Sequence, residues 1–300
     1  LDWGRQIAEG TAREIAENPE VVRVYLGTGG AATPRAARAT ATEDRPSVLR
    51  IEGLSVDYGK LRALRSIDFE LREGEIVAVL GANGAGKSSL ARAIAGLIPC
   101  AEGRILLGSE DVTRQLAPRR ARKGIALCHE GRRLFSELKV RENLELAAYS
   151  GASTTHRREL FERVHDLFPL LRERENAYAG ELSGGQQQMV AIARALLSDP
   201  RIVIFDELSL GLAPQIVDEI YRAVDQIRAW GVSIVLIEQS AYRALSVADR
   251  VYVIERGRVS FNGVSRDLEQ EKALRDAYFG TREDPPSPPG ATTGGGSGEA

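Results

Sequence analysis

A glycine-rich segment at residues 81–88, GANGAGKS, has the residue types and the spacing that bind a phosphate chain. It follows the apolar run GEIVAVL, which is typical of a buried strand, and precedes a helical pattern. Glycines let backbone N–H groups converge on a phosphate at the positive end of such a helix. We expect Lys87 to reach the outer phosphates and Ser88 to ligate Mg²⁺. The predicted nucleotide contacts of this phosphate loop and the next residue are Gly81, Asn83, Gly84, Ala85, Gly86, Lys87, Ser88 and Ser89.

A second apolar run, at residues 202–207, ends in two adjacent carboxylates, Asp206 and Glu207. Two acids after a strand are, taken alone, more often a solvated turn than a site. Beside a phosphate loop, however, they supply the groups that hydrolysis requires. Asp206 is predicted to hold Mg²⁺ directly or through water, and Glu207 to polarise the attacking water.

A third segment, LSGGQQQ at residues 182–188, begins a helix with a serine cap and two glycines. This is another helix start suited to an anion. One nucleotide does not need two such sites. We therefore expect this segment to bind the γ-phosphate held by the phosphate loop of a partner, in a head-to-tail dimer with ATP at the interface. Its predicted contacts are Ser183, Gly184, Gly185 and Gln186.

Composition limits the other classes of function. The chain has 300 residues, with 40 Lys and Arg against 42 Asp and Glu, so a generic nucleic-acid binder is excluded. No stretch approaches the ~20 apolar residues that cross a bilayer. Cys100 and Cys128 are too few for a disulfide framework, which indicates a reducing cytosol.

Continuous apolar runs alternate with helical patterns along the chain, which predicts an α/β fold with a parallel sheet covered on both faces. Charged, helix-prone sequence fills residues 139–177. The other predicted elements are strands at 48–57 and 66–71, the apolar runs before the phosphate loop and at 201–206, helices at 184–198 and 214–229, and a strand at 233–238.

Two segments lack apolar periodicity and are rich in small and turn-forming residues, so residues 28–47 are predicted to be a flexible linker and 281–300 a disordered tail. The working domain is expected at 48–280. Residues 1–28 align without a gap to 254–281, with seven identities. The opening segment, residues 1–27, is therefore predicted to repeat the end of the domain, as the tail of a preceding unit. The alternative is an amphipathic helix that aligns by accident.

The phosphate loop, the acidic strand end and LSGGQ resemble the ATP-binding cassette (ABC) family over residues 48–280. The resemblance implies a P-loop NTPase fold with a RecA-like parallel core, an antiparallel β subdomain and a helical subdomain at about 131–180. It also implies that Tyr58 stacks on adenine. Closer similarity to the subfamily that powers branched-chain amino-acid importers lies in HEGRRLFSELKVRENL (129–144), DELSLGLAP (206–214) and IEQSAYRAL (237–245). Residues 4–27 resemble the tail of that system's paired ATPase.

Several positions depart from the broad family. Gln239 stands where most members have a switch histidine, and is expected to bond the γ-phosphate as a catalytic residue with Lys87 and Glu207. Glu130 stands where most have a glutamine, and is expected to bind Mg²⁺ with Ser88 and Asp206. Leu208 stands where the branched-chain subfamily normally has a proline, and this change is expected to alter the rate at most.

The resemblance implies a peripheral protein on the cytoplasmic face of the plasma (inner) membrane. Its partners would be a second ABC ATPase domain, paired or fused and including a second copy of this chain, and transmembrane permease subunits. Arg132 and Arg133 would lie where the permease binds. An extracytoplasmic solute-binding protein would act indirectly, and no nucleic acid is implied. Three alternatives stay open: a regulatory module with little turnover, an importer of urea or amides, and a soluble cassette acting on nucleic acid.

Overall fold

Two β-sheets form the framework of the computed structural model, which describes residues 44–148, 154–239 and 241–264. Four strands form one sheet in the order β2-β1-β4-β5, and six form the other in the order β10-β9-β3-β8-β7-β6. The strands are β1 (Ser47–Tyr58), β2 (Leu61–Arg72), β3 (Ile76–Leu80), β4 (Glu102–Leu107), β5 (Glu110–Asp111), β6 (Ile125–Cys128), β7 (Ile202–Asp206), β8 (Ser233–Ile237), β9 (Arg250–Glu255) and β10 (Arg258–Val264).

The six-stranded sheet is parallel from β9 through β3, β8 and β7 to β6, and only β10 pairs antiparallel. Every residue of β3, β7 and β8 is buried, because layers cover both faces. This explains the continuous apolar runs in the sequence. The carboxyl ends of β3 and β7 lead directly into the phosphate loop and Glu207, so the fold places both at one edge.

The four-stranded sheet is antiparallel, and its first two strands, β1 and β2, are longer than the sequence predicts. Strands expected at 48–57 and 66–71 extend to Tyr58 and back to Leu61, so that only Gly59 and Lys60 separate them. Gly59 has φ +60°, a backbone conformation that a tight turn needs and that glycine adopts without strain. This hairpin places Tyr58 near the phosphate loop.

Eight α-helices occur in the described residues, together with a 3₁₀ turn at Ala179–Glu181. α6 is the central one, packing against α3, α4, α5 and β6. No helix among the described residues has the length and apolar character required to span a bilayer. The helices are α1 (Lys87–Ile94), α2 (Ala117–Arg122), α3 (Val140–Ala147), α4 (Thr154–Leu167), α5 (Pro169–Glu173), α6 (Gly184–Leu197), α7 (Pro214–Ala229) and α8 (Ala241–Val247).

Two apolar clusters lie on the opposite faces of the six-stranded sheet. In β3, Ile76, Ala78 and Leu80 contribute to the cluster that contains α3 to α8, whereas Val77 and Val79 contribute to the cluster that contains β1, β2 and α1. The alternation follows from the two-residue period of a strand. The expected α/β fold, with a parallel sheet, an antiparallel sheet and a helical part, is confirmed.

The predicted domain boundaries fall only partly within the described residues. Three helices, α3 to α5, lie inside the range 131–180 expected for the helical subdomain. The last linker residue, Ser47, already belongs to β1. The opening segment at 1–27 and the tail at 281–300 lie outside the described residues.

Candidate nucleotide site

The phosphate loop joins β3 to α1 and is shaped by close backbone approaches. Gly81 has φ +151°, and a Cβ atom there would lie 2.2 Å from the carbonyl oxygen of Ile254. Gly86 has φ +112°, and its Cβ would lie 2.7 Å from the Cδ2 atom of Leu64. Real Cβ atoms do not come this near to other atoms, so a side chain at either position would displace the loop. The packing around the loop therefore requires glycine at both positions.

An open cleft of about 590 Å³ borders the phosphate loop. Ten of the residues predicted to form the site line it, and they come from β1, the phosphate loop, α1 and the loops after β6, β7 and β8. These residues are Tyr58, Asn83, Gly84, Gly86, Lys87, Ser88, Ser89, Glu130, Glu207 and Gln239.

The predicted residues that do not line the cleft lie behind it or elsewhere. Gly81 and Ala85 belong to the phosphate loop but are buried, at the back of the cleft. Asp206 is also buried, and Ser88 Oγ donates to its Oδ1 atom at 3.2 Å. Within the described part of the chain, residues 183–186 make no contribution to the cleft.

The Lys87 ammonium group is held against the backbone of the phosphate loop. Its Nζ atom donates to the carbonyl oxygens of Gly81 at 2.9 Å and Ala82 at 3.2 Å. Burial lowers the pKa of Lys87, and the carboxylates of Glu207, Asp206, Glu238 and Glu130 oppose that shift. A phosphate in the cleft would add an acceptor for this cation.

The carboxylates of the cleft are poised by burial. Burial raises the pKa of Asp206, and the hydrogen bond from Ser88 partly offsets this rise. Burial also raises the pKa of Glu207, and the positive charge of Lys87 partly offsets that rise. Glu130 raises both pKa values further by charge repulsion. Glu207 also has φ +56°, and its N–H donates to the carbonyl oxygen of Ile237 at 2.9 Å. A raised pKa makes a carboxylate a better proton acceptor.

Two oxygen-bearing side chains, of Ser88 and Glu130, line the cleft, and Ser88 contacts the buried Asp206 carboxylate. Hydroxyl and carboxylate oxygens are the donors that Mg²⁺ prefers, and Mg²⁺ usually keeps several waters beside one or two carboxylates. The mutual repulsion of Asp206 and Glu130 is the charge arrangement that a cation would relieve. The donor set therefore fits Mg²⁺.

The side of the cleft next to Tyr58 contains residues that the sequence did not predict. Tyr58 is partly exposed there, and its hydroxyl lies 3.5 Å from Ser89 Oγ. Arg62 follows it in the hairpin, paired with Asp57 at 2.9 Å, and Arg256 and Gly257 come from the turn between β9 and β10. The hairpin next to Tyr58 was a signal for Arg62. The sequence has no local signal for Arg256, which the sheet brings in from far along the chain. The added lining residues are Leu61, Arg62, Ala63, Leu210, Arg256 and Gly257.

The helix start at LSGGQ has the geometry that the sequence predicts. Ser183 caps α6, since its Oγ atom accepts from the N–H of Gln186 at 3.4 Å while Gln186 Oε1 accepts from the N–H of Ser183 at 3.0 Å. A Cβ atom on Gly185 would lie 2.6 Å from Ile216 Cγ2, so the helix start packs directly on α7. Among the described residues, none of residues 183–186 lines the chain's own cleft.

The arginine pair after Glu130 faces the same helix. Arg132 and Arg133 both have left-handed backbones, and Arg132 Nη1 donates to Gln187 Oε1 at 3.1 Å. The carbonyl oxygen of Arg133 accepts from Arg194 at 2.8 Å. Cys128, at the end of β6, is buried, and burial raises the pKa of its thiol to about 12. This thiol is therefore a packing group rather than a reactive one.

The model of the ABC transporter family matches residues 64–209, and that of the branched-chain amino acid ATP-binding cassette transporter matches residues 5–31. The second match falls on the opening segment that resembles the tail of a paired ATPase. This match supports the similarity to branched-chain amino acid transporters.

This chain aligns with two curated relatives over nearly the whole length of each relative. The high-affinity branched-chain amino acid transport ATP-binding protein BraG of Pseudomonas aeruginosa is 42% identical over 78% of this chain and 100% of its own length. The probable branched-chain amino acid transport ATP-binding protein LivF of Archaeoglobus fulgidus is 35% identical over 75% and 96%. A solved dimeric cassette in a post-hydrolysis state, bound to ADP and phosphate, superimposes with a TM-score of 0.65 at 26% identity, over 73% of this chain and 100% of that one.

Proposed function

This chain belongs to the ABC transporter family of ATP-binding proteins, and from that premise we propose that it powers import of branched-chain amino acids. It is an ATPase subunit of a transporter. The cleft that brings Lys87, Ser88 and Glu207 together is the observation that carries the proposal. The names of its relatives supply the solute.

The residues of the cleft would act on the phosphate chain of ATP. Lys87 and the backbone N–H groups of the phosphate loop would hold the β- and γ-phosphates. Glu207 would take a proton from the attacking water, and Gln239 would bond the γ-phosphate across from Lys87. Tyr58 would stack on adenine. The side chains of Lys87, Glu207, Gln239 and Tyr58 all line the cleft.

Mg²⁺ would be held by Ser88 and Asp206, with Glu130 as the additional acid. When bound, the ion supplies positive charge that neutralises the phosphate oxygens during transfer. The chain's own contribution is to hold the ligands in place. Ser88 already contacts Asp206, and burial keeps the ionisation of Asp206 sensitive to a nearby cation.

Two cassettes would be needed for each site. Ser183, Gly184, Gly185 and Gln186 of one chain would bind the γ-phosphate held in the cleft of the other, closing both chains on ATP. Hydrolysis would remove those contacts and reopen the pair, and this motion would drive the permease. The second cassette is either another copy of this chain or the paired unit that residues 1–27 resemble.

The remaining partners and the location follow from the transporter role. The chain would sit on the cytoplasmic face of the membrane, bound to transmembrane permease subunits through the loop that carries Arg132 and Arg133. A solute-binding protein on the other side would deliver the amino acid. The cassette itself would not contact the solute. Transport assays, and not ATP binding, would therefore distinguish branched-chain amino acids from urea or amides as the transported solute.

The test is the solution mass of a Glu207→Gln variant with and without Mg-ATP, since blocking hydrolysis should trap the closed pair. We expect a shift from monomer to dimer that requires ATP. An exposed acid on α5, Glu173, provides the matched control, because Glu173→Gln should form no stable dimer and keep turnover. Persistent monomer with ATP bound would contradict self-pairing and indicate a different partner cassette. Absence of ATP binding would contradict the proposed function itself.

A further inference from the structure

Glu238, immediately after β8, is a buried carboxylate with a defined set of contacts, and its side chain is 1% exposed. Its Oε2 atom accepts from Ser209 Oγ at 2.9 Å and its Oε1 atom accepts from the N–H of Ser209 at 3.3 Å. Its own N–H donates to the carbonyl oxygen of Val79 at 3.2 Å. The backbone of Glu238 is thus fixed to β3, while both side-chain oxygens hold the loop after β7.

The two segments that Glu238 joins carry residues of the cleft. Ser209 lies two positions after Glu207, and Gln239 is the next residue after Glu238. The N–H of Glu207 donates to the carbonyl oxygen of Ile237, so the same two segments are also connected two residues before Ser209 and one residue before Glu238. Glu238 itself does not line the cleft in the described structure. Its influence on a nucleotide would therefore pass through Glu207 and Gln239.

The contacts of Glu238 are sensitive to its charge. Burial, with a smaller contribution from Glu207, raises its pKa to about 7, and the hydrogen bonds from Ser209 limit the rise. The other titratable groups that act on it are Tyr221 of α7 and Lys87 of α1. An ionised carboxylate accepts both hydrogen bonds of Ser209 more strongly than a neutral acid does. The hydrogen-bonded contact between Glu238 and Ser209, which joins the two loops, is thus strongest above neutral pH.

We propose that Glu238 is a positioning residue for hydrolysis, which ties the loop of Ser209 to the loop of Gln239 so that Glu207 and Gln239 face the same γ-phosphate. The inference rests on the proposed ATPase function. Misplacement of a reacting group by about 1 Å can cost ~100-fold in rate. A joint that fixes two such groups together therefore bears on turnover rather than on ATP affinity.

Glu238→Gln in the full chain keeps the shape of the side chain and removes its charge. We expect kcat to fall about tenfold, with the KM and Kd for ATP changed less than about twofold. In the unaltered chain kcat should rise between about pH 6 and pH 8, and this rise should disappear in the variant. Hydrogen exchange of residues 207–212, which needs no turnover, should be faster in the variant.

Ser209→Ala provides the second variant, because it removes one partner of Glu238 from an accessible loop. If the contact is the cause, the Glu238→Gln and Ser209→Ala losses will not add in the double variant. Glu173→Gln is again the exposed control. Additive losses, or a Glu238→Gln variant with unaltered kcat, pH profile and loop exchange, would overturn the inference. If the unaltered chain does not hydrolyse ATP but hydrogen exchange of residues 207–212 is still faster in the variants, the proposed function is contradicted. The contact between Glu238 and Ser209 would then still be supported.

Discussion

The Lys87 ammonium group combines two tasks, since it braces the phosphate loop through two carbonyl oxygens and faces the cleft. Lys87→Ala should weaken ATP binding by about 10- to 100-fold, because hydrogen bonds to a charged group contribute about 1.5–3 kcal/mol. Titration calorimetry with ATP checks this. Lys123→Ala is the control, since Lys123 pairs with Glu110 at the surface away from the cleft. Unchanged ATP binding and hydrolysis in Lys87→Ala would contradict the site.

The buried acid Glu238 also predicts how stability depends on pH. Its pKa is about 7 in the folded chain against an ordinary value of 4.5, so the folded state binds the proton more tightly. Below pH 4.5 both states hold the proton. As pH rises from 4.5 to 7 the unfolded state loses it first, so this group lowers the free energy of unfolding by up to ~1.4 kcal/mol per pH unit.

Urea unfolding at about pH 5 and pH 8 measures that loss. The Glu238→Gln variant has no titrating side chain at this position. The fall in unfolding free energy between pH 5 and pH 8 that is due to this group should therefore be present in the unaltered chain and missing from the variant. Other carboxylates contribute equally to both proteins and cancel. Equal pH dependence in the two proteins would mean that Glu238 does not hold a proton in the folded state near neutral pH.

At the scale of elements, the contact between α6 and α7 is limited by one glycine. A methyl group on Gly185 would lie 2.6 Å from Ile216 Cγ2, so Gly185→Ala must push the start of α6 away from α7. We expect a loss of about 1–3 kcal/mol in unfolding free energy and a weaker ATP-dependent pair. Adding Ile216→Ala makes room and should restore part of both.

A matched comparison lies one residue earlier. A methyl group on Gly184 would meet the end of the Arg132 side chain, which can move aside, so Gly184→Ala should cost less stability than Gly185→Ala. Thermal unfolding of the three variants compares them. Equal losses at both glycines, without rescue by Ile216→Ala, would show that the methyl contact with α7 is not the cause.

The sequence was most informative where an element is governed by its own residues. β7 and β8 are buried on both faces, so unbroken apolar runs predicted them, and the cap of Ser183 predicted the start of α6. The turn at Arg256 lies in the cleft only because β9 pairs with β3, a long-range pairing without a local pattern. The contact of Glu238 with Ser209 arises the same way, from two loops that meet at one edge of the sheet.

At the scale of the whole molecule, a buried ion pair connects the two sheets. Arg250, the first residue of β9, contacts Glu75 at 2.6 Å, and its Nη2 atom also donates to the carbonyl oxygen of Glu70 in β2. Glu75 is fully buried, so Glu75→Gln leaves a guanidinium group without its countercharge. The expected loss is about 3 kcal/mol in unfolding free energy, with ATP affinity unchanged.

Chemical denaturation and ATP titration of the same sample measure both quantities. Glu110→Gln, at an exposed ion pair with Lys123, is the control and should change stability little. A Glu75→Gln variant as stable as the control would show that the junction depends on packing, such as the Phe69 and Tyr252 rings at 4.7 Å, and not on the ion pair.

Among the described residues LSGGQ does not line the chain's own cleft, and this bears on the kinetics of the proposed enzyme. If each site is completed by a second chain, turnover per chain cannot be a constant. It should rise in proportion to protein concentration while pairs are scarce and level off when pairing is complete, which assays over about 100-fold dilution would reveal. A chain that worked alone would keep one specific activity throughout. On the membrane, where the permease would hold two cassettes together, the same enzyme would be insensitive to dilution, so the transporter itself would act as the concentrating device for its ATPase.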